Sequence, residues 1–264
     1  MIKLLIFIVV IAIPTKVFSE QTWQIVTENY PPYFSENLPD NGWLYEITQS
    51  ALKTQGINSE AEFTTWDRAL KLLEKKRKTA ILGAFYSLKR NEVFYYSRPL
   101  AVAHSGVFKR KESIINFDGT VQSLTPYSIG TEYNAFVSQE FARNRELAIT
   151  STKSLPTSLY LLQQGRIDLV AGTKEVGNYW LEHTKTEDSD DNNIEYLSPD
   201  LASHKLYLVV SKSNYRAKEY LQKFNRGIDI ITKNGRIAKI MKKHNFSNQK
   251  ITEYINFLKE NEGI

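Results

Sequence analysis

Residues 65–100 read TWDRALKLLEKKRKTAILGAFYSLKRNEVFYYSRPL, and this stretch decides the fold. Its first part is an amphipathic helix by pattern. Ala69, Leu70, Leu72 and Leu73 fall on one side, and Lys71, Glu74, Lys75, Lys76 and Arg77 leave the other side charged. The run Thr79-Ala80-Ile81-Leu82-Gly83-Ala84 is short, nearly all apolar and has a glycine near its end, as suits a buried strand of a parallel sheet. Ser87 then caps a helical turn with Arg90 three residues on. An arginine just past the carboxyl end of a buried strand stands where open α/β sheets take their ligands. Its planar fork suits a carboxylate. The competing role for Arg90 is a surface pair with Glu92.

Outward from this stretch the same logic repeats. Residues 22–27 alternate as a strand and run into Pro31-Pro32. The pattern of 44–54 is helical and stops at Gly56, a glycine suited to a helix end, and 61–65 reads as another strand. This makes a β-α-β-α-β unit, from which a strand at 103–109 leaves. A second unit opens with a strand at 127–130 and a helix over 133–145. A further helix at 155–164, ended by Gly165, leads to a strand at 167–171. A return strand at 206–210 and two helical segments within 215–243, broken at Asn234-Gly235, complete the first unit. The expected fold class is therefore α/β with two lobes, residues 20–107 plus 206–264 and residues 108–205. They are joined by two chain crossings, near 104–112 and 203–211, that act as a hinge.

The first nineteen residues have the layout of a secretory leader: Lys3, an apolar core over 4–13, then Val17-Phe18-Ser19, with cleavage expected after Ser19. The apolar core is shorter than the roughly 20 residues that span a bilayer. The chain has 264 residues and no cysteine, so an oxidising compartment is met without disulfides and there is no site for a lipid anchor on sulfur. Its length allows two lobes of about 100 residues each. A formal charge of +5, with Lys3 and Lys16 inside the leader, is too mild to point to nucleic acid. The run TKTEDSDDNN at 184–193 lacks the glycine and terminal glutamate of a calcium-binding loop and reads as a solvated surface loop.

Several short motifs, in order along the chain, carry a family resemblance. They are Glu28-Asn29-Tyr30-Pro31-Pro32-Tyr33, Gly42-Trp43, Trp66-Asp67-Arg68-Ala69-Leu70, Ser87-Leu88-Lys89-Arg90 and Tyr95-Tyr96-Ser97-Arg98-Pro99. Ile129-Gly130-Thr131, Gly165-Arg166-Ile167-Asp168 and Asn234-Gly235 follow. In this arrangement the chain resembles the periplasmic solute-binding proteins of family 3, the polar amino-acid type that serve as receptors of ABC importers. The resemblance implies the type II periplasmic-binding-protein fold, a monomer, a location in the periplasm, and an inner-membrane ABC transporter permease as partner.

The resemblance also implies that Arg90 grips a ligand α-carboxylate through paired charge-assisted bonds. Thr131, read as following Gly130 at a strand-to-helix junction, is a second candidate contact for an anion, although Glu132 stands where the family often has threonine or serine. The family's aspartate for the ligand ammonium is absent. Thr173 or Lys174 falls near its place, which leaves Glu175 or Glu28 for the ammonium, or a ligand without an α-amino group. Tyr30, Trp66 and Phe85 are the aromatics expected to line the cleft, while Phe34 and Tyr133 read as packing residues and Arg68 as structural.

No cofactor or metal is expected: His104, His183, His204 and His244 lack ligand spacing, and neither a G-x-S-x-G nor a P-loop occurs. The function expected is capture of a small polar, carboxylate-bearing solute by lobe closure. Two other classes fit the same fold. One is a periplasmic dehydratase acting on cyclic carboxylates, with Glu28 or Glu175 as proton donor; the other is a sensor that presents ligand to a membrane receptor.

Overall fold

Alternation along the first strand shows how the sheet is built. In β1, Gln21–Thr27, Trp23 and Ile25 enter one apolar cluster while Val26 enters another on the opposite face. A strand buried on both faces belongs in the middle of a parallel sheet covered by helices. A computed structural model describes residues 21–184 and 193–262. The expected leader, its cleavage point and residues 185–192 of the acidic stretch lie outside the described residues.

After β1 come α1 (Trp43–Lys53), β2 (Ile57–Phe63), α2 (Trp66–Glu74), β3 (Ala80–Phe85), the short α3 (Leu88–Val93) and β4 (Phe94–Tyr96). β5 (Ala101–Arg110) carries the chain onward to β6 (Ser128–Glu132), α4 (Gln139–Arg143), β7 (Ala148–Thr152), α5 (Leu155–Gln163), β8 (Leu169–Thr173), α6 (Lys174–His183) and β9 (Ile194–Tyr196). β10 (Ala202–Ser211) brings it back to α7 (Ala217–Lys233), α8 (Arg236–Lys243) and α9 (Asn248–Glu260).

The strands run in the order β2-β1-β3-β10-β5-β8-β6-β7. Read inward from either edge, this is one pattern used twice: three parallel strands, then an antiparallel one. The two antiparallel strands β5 and β10 pair with each other from Ala101 to Ser105 against Leu206 to Ala202. Beyond Ser105, β5 pairs with β8, and beyond Leu206, β10 pairs with β3. Each strand thus begins in one lobe and ends in the other, which is the hinge expected from sequence. Separate apolar clusters lie on the two sides, one around Trp23, Leu44, Leu208 and Phe224, the others around Ile129 and Leu169 and around Leu159 and Val170.

One glycine sets the position of the ligand-side loop. β3 does not stop at Gly83. It bulges there, because Tyr207 faces Ala84 while the next residue, Leu208, faces Leu82. Gly83 has φ +91, and a Cβ at this place would lie 2.2 Å from Cζ of Phe34. Only glycine takes that backbone at low cost with the Phe34 ring packed against it. The bulge lets β3 continue to Phe85, at the edge of the cleft.

Some expectations need correction. The helix expected over 133–145 is only α4. Asn134 takes a left-handed backbone with φ 61, and Ser138 starts the helix late by accepting a hydrogen bond from the Phe141 amide at 3.0 Å. Strand β7 and helices α6 and α9 have no counterpart in the expected elements, and β2 begins four residues before the strand expected at 61–65. The strand expected at 167–171 lies at Leu169–Thr173.

Candidate functional site

Five chain segments converge where the parallel strands end: the residues after β1, the start of α2 after β2, the turn after β3, the end of β6 and the end of β8. Crevices of this kind, outside the carboxyl ends of strands, are where open α/β sheets bind ligands.

Arg90 is held in place before any ligand arrives. The Ser87 hydroxyl accepts from its amide at 3.2 Å, Nη1 donates to the Phe85 carbonyl at 3.2 Å, and the guanidinium lies 5.1 Å from the centre of the Trp66 ring. Burial draws the Arg90 pKa down, and Tyr96 and Glu28 oppose that shift. The side chain is a fixed cation with donors left for an anion.

Glu28 follows β1 and lies within electrostatic reach of Arg90. Its pKa is pushed up to about 8, first by burial and next by Glu132 from the other side of the cleft; Arg90 draws it down and Asp67 raises it again. Glu132 is itself shifted up by burial, while a backbone hydrogen bond with Leu155, at the start of α5, lowers it. The cleft therefore gathers acids from both lobes around a single described arginine. At neutral pH the Glu28 carboxyl holds a proton that an incoming cation can displace.

Aromatic side chains form the floor. The Tyr30 hydroxyl is 2.5 Å from Thr173 Oγ1, a contact between the end of the first lobe's β1 segment and the end of β8. Its ring stacks on Tyr33 at 5.7 Å and Phe34 at 5.8 Å and meets Phe85 edge-on at 6.4 Å. Phe85 stacks on His204 of the hinge strand at 4.7 Å, and Phe136 meets the same imidazole at 5.2 Å. His204 Nε2 is 2.7 Å from the Val137 carbonyl, and burial draws this histidine's pKa down. Near the cleft opening, Asn134 Nδ2 donates to Asp67 Oδ2 at 3.2 Å. These contacts join the lobes in a closed arrangement.

The structure thus brings Glu28, Tyr30, Trp66, Phe85 and Arg90 together. Thr131 and Glu175 are placed differently. Thr131 is inside β6, paired with Ser151 and Ala171, rather than at a helix start; its hydroxyl is buried with no hydrogen-bond partner among the described residues. Glu175 stands at the hinge: Oε1 is 2.6 Å from His104 Nδ1 and Oε2 accepts from the His104 amide at 3.1 Å. With both oxygens engaged there, Glu28 is the acid that faces Arg90. Phe34 is buried in the core, Tyr133 is exposed and so is Arg68.

The sequence reading missed Asp67, Asn134 and His204 as cleft residues and noted Glu132 only as a departure from the family pattern beside Thr131. Glu132 and Asp67 were visible as the residues that end a strand or open a helix on the ligand side. Away from the cleft, Asp40, Glu46 and His244 bring ligand atoms within 4.8 Å of one another. Lys243 already answers that charge, 2.6 Å from Asp40 and 3.1 Å from Glu46.

The sequence profile of the bacterial extracellular solute-binding proteins, family 3, matches residues 24–248. The chain belongs to this family. It is a solute-binding protein that acts outside the cytoplasm, with two α/β lobes in the type II periplasmic-binding arrangement. Among solved structures, a histidine kinase sensor domain with similarity to periplasmic binding proteins superposes with a TM-score of 0.72 at 19% identity, over 85% of this chain and 96% of that one. Holo ArgBP from T. maritima gives 0.68 at 17%, over 85% and 96%. The substrate-binding protein of an amino acid ABC transporter gives 0.69 at 16%, over 84% and 98%. At these identities the likeness is one of fold. No curated protein sequence matches the chain.

Proposed function

We propose that this protein captures a small polar solute of the amino-acid type, one that carries a carboxylate, by closing residues 20–107 plus 206–264 against residues 108–205. The closed form then hands the solute to an ABC transporter permease in the inner membrane. The observation that carries the reading is Arg90 pinned between the Phe85 carbonyl and the Trp66 ring in the cleft, opposite Glu28. An immobilised guanidinium pairs with a carboxylate at little further entropic cost. Glu28, giving up its proton, meets the ligand ammonium, and Glu132 adds to the attraction. Tyr30 and Phe85 present ring surface to the ligand's carbon skeleton. Contacts from both lobes exist only in the closed state, so ligand shifts the population towards it.

A thermal-shift screen tests this reading. The protein is stripped by unfolding and refolding, then assayed with amino acids, their deamino analogues, polyamines and cyclic carboxylates. A ligand present well above its dissociation constant raises the melting temperature by mass action. Stabilisation by amino acids and none by their deamino analogues is the expected result. Stabilisation by deamino or cyclic acids alone would reject the pairing of Glu28 with an ammonium.

A further inference from the structure

We propose that Asp67 and Asn134 form a latch at the cleft mouth that sets the balance between open and closed forms without touching solute. The proposal rests on the lobe-closure reading above and adds a pair of positioning residues to it. The bond from Asn134 Nδ2 to Asp67 Oδ2 spans the cleft, with one partner from each lobe, at 3.2 Å. Both ends are rigid. Asp67 is the second residue of α2, directly after the Trp66 that supports Arg90. Asn134 sits in a left-handed turn with φ 61, and the flanking backbone is tied down: the Tyr133 amide donates to the Thr152 carbonyl at 2.9 Å and the Ala135 amide to the Glu132 carbonyl at 3.0 Å.

Position gives the bond its leverage. The contact between Tyr30 and Thr173 lies beside the hinge, since Thr173 pairs with Ser105 on β5, and a small rotation moves it little. Asp67 and Asn134 are both exposed at the opening, where the same rotation separates groups furthest. A hydrogen bond between exposed groups adds little to folding stability. It exists in only one of the two conformations, however, so its whole free energy falls on the closure equilibrium. Its acceptor is charged, which strengthens it. Asparagine is among the few residues other than glycine that take the left-handed backbone readily, and aspartate shares that property. The polarity of the pair can therefore be reversed without a change of backbone.

The absence of cysteine from the chain makes the test clean. Spin labels at K71C on α2 and K153C before α5, both exposed positions on opposite lobes, report the interlobe distance by pulsed electron resonance on stripped protein with no solute added. N134D, which sets two carboxylates against each other, should lower the short-distance population by about fivefold relative to the labelled parent. The swap D67N/N134D, which rebuilds the bond with donor and acceptor exchanged, should restore it to within about twofold. A merely structural role for either residue would give no rescue. Identical distance distributions in all three proteins, or a swap that stays as open as N134D, would overturn the latch. Melting temperatures should agree among the three, as expected for exposed substitutions. Failure of the solute reading would show separately, as an absence of stabilisation by any solute in the thermal-shift screen.

Discussion

Binding of an amino acid near neutral pH should expel a proton, and Glu28 is its source. With its pKa raised to about 8 in the ligand-free closed arrangement, first by burial and then by Glu132, Glu28 is about nine-tenths protonated at pH 7 in that form. An ammonium between Glu28 and Glu132 stabilises the ionised form, and the proton leaves. Titration calorimetry at pH 7 in two buffers of different ionisation heat should report release of about 0.9 proton per ligand, falling to about 0.1 at pH 9. Affinity should rise nearly tenfold from about pH 6 to 7, about fivefold from pH 7 to 8, and flatten above, as long as the ligand keeps its ammonium. E28Q should abolish both effects and weaken binding at pH 8 and above. Buffer-independent heats at pH 7, or the same proton release in E28Q, would refute the assignment of Glu28 to the ammonium.

Three other outcomes follow from the same structure. R90A should weaken a carboxylate ligand by about 2–5 kcal/mol in calorimetry, because the anion then lies desolvated without its partner; unaltered affinity would remove Arg90 from the site. The ligand-free protein should lose stability as pH rises. Glu28 is raised in the folded state, so its contribution is fully present below the ordinary carboxylate pKa of 4.5 and lost as pH climbs to about 8. Melting curves should show that slope, and E28Q should flatten it. G83A should destabilise the first lobe by roughly 1–3 kcal/mol in urea unfolding, since it places a methyl on the Phe34 ring at a left-handed position. A stability change near zero would mean that the bulge and the ring adapt freely.

Local signals in the sequence were read well where they were strong. The apolar stripe of α2, the run of β3 and the serine three residues before Arg90 each act within a few residues, and all three were legible. So was the hinge, as two chain crossings near 104–112 and 203–211. The failures have two causes, one local and one long-range. Thr131 is expected at a strand-to-helix junction, whereas a left-handed Asn134 and the Ser138 cap delay α4 to Gln139. The place of Glu175 depends on His104, 71 residues away, and that of Asp67 on Asn134, 67 residues away. The raised pKa of Glu28 needs Glu132 from the opposite lobe. Pairings of this range depend on how distant segments of the chain meet and leave no periodic trace in it.

Small-angle scattering on the stripped protein, with and without a saturating amino acid taken from the thermal-shift screen, tests the central claim most directly. Ligand should reduce the radius of gyration of the wild-type protein, and R90A at the same ligand concentration should keep the ligand-free profile. Identical wild-type profiles with and without ligand would contradict capture by lobe closure.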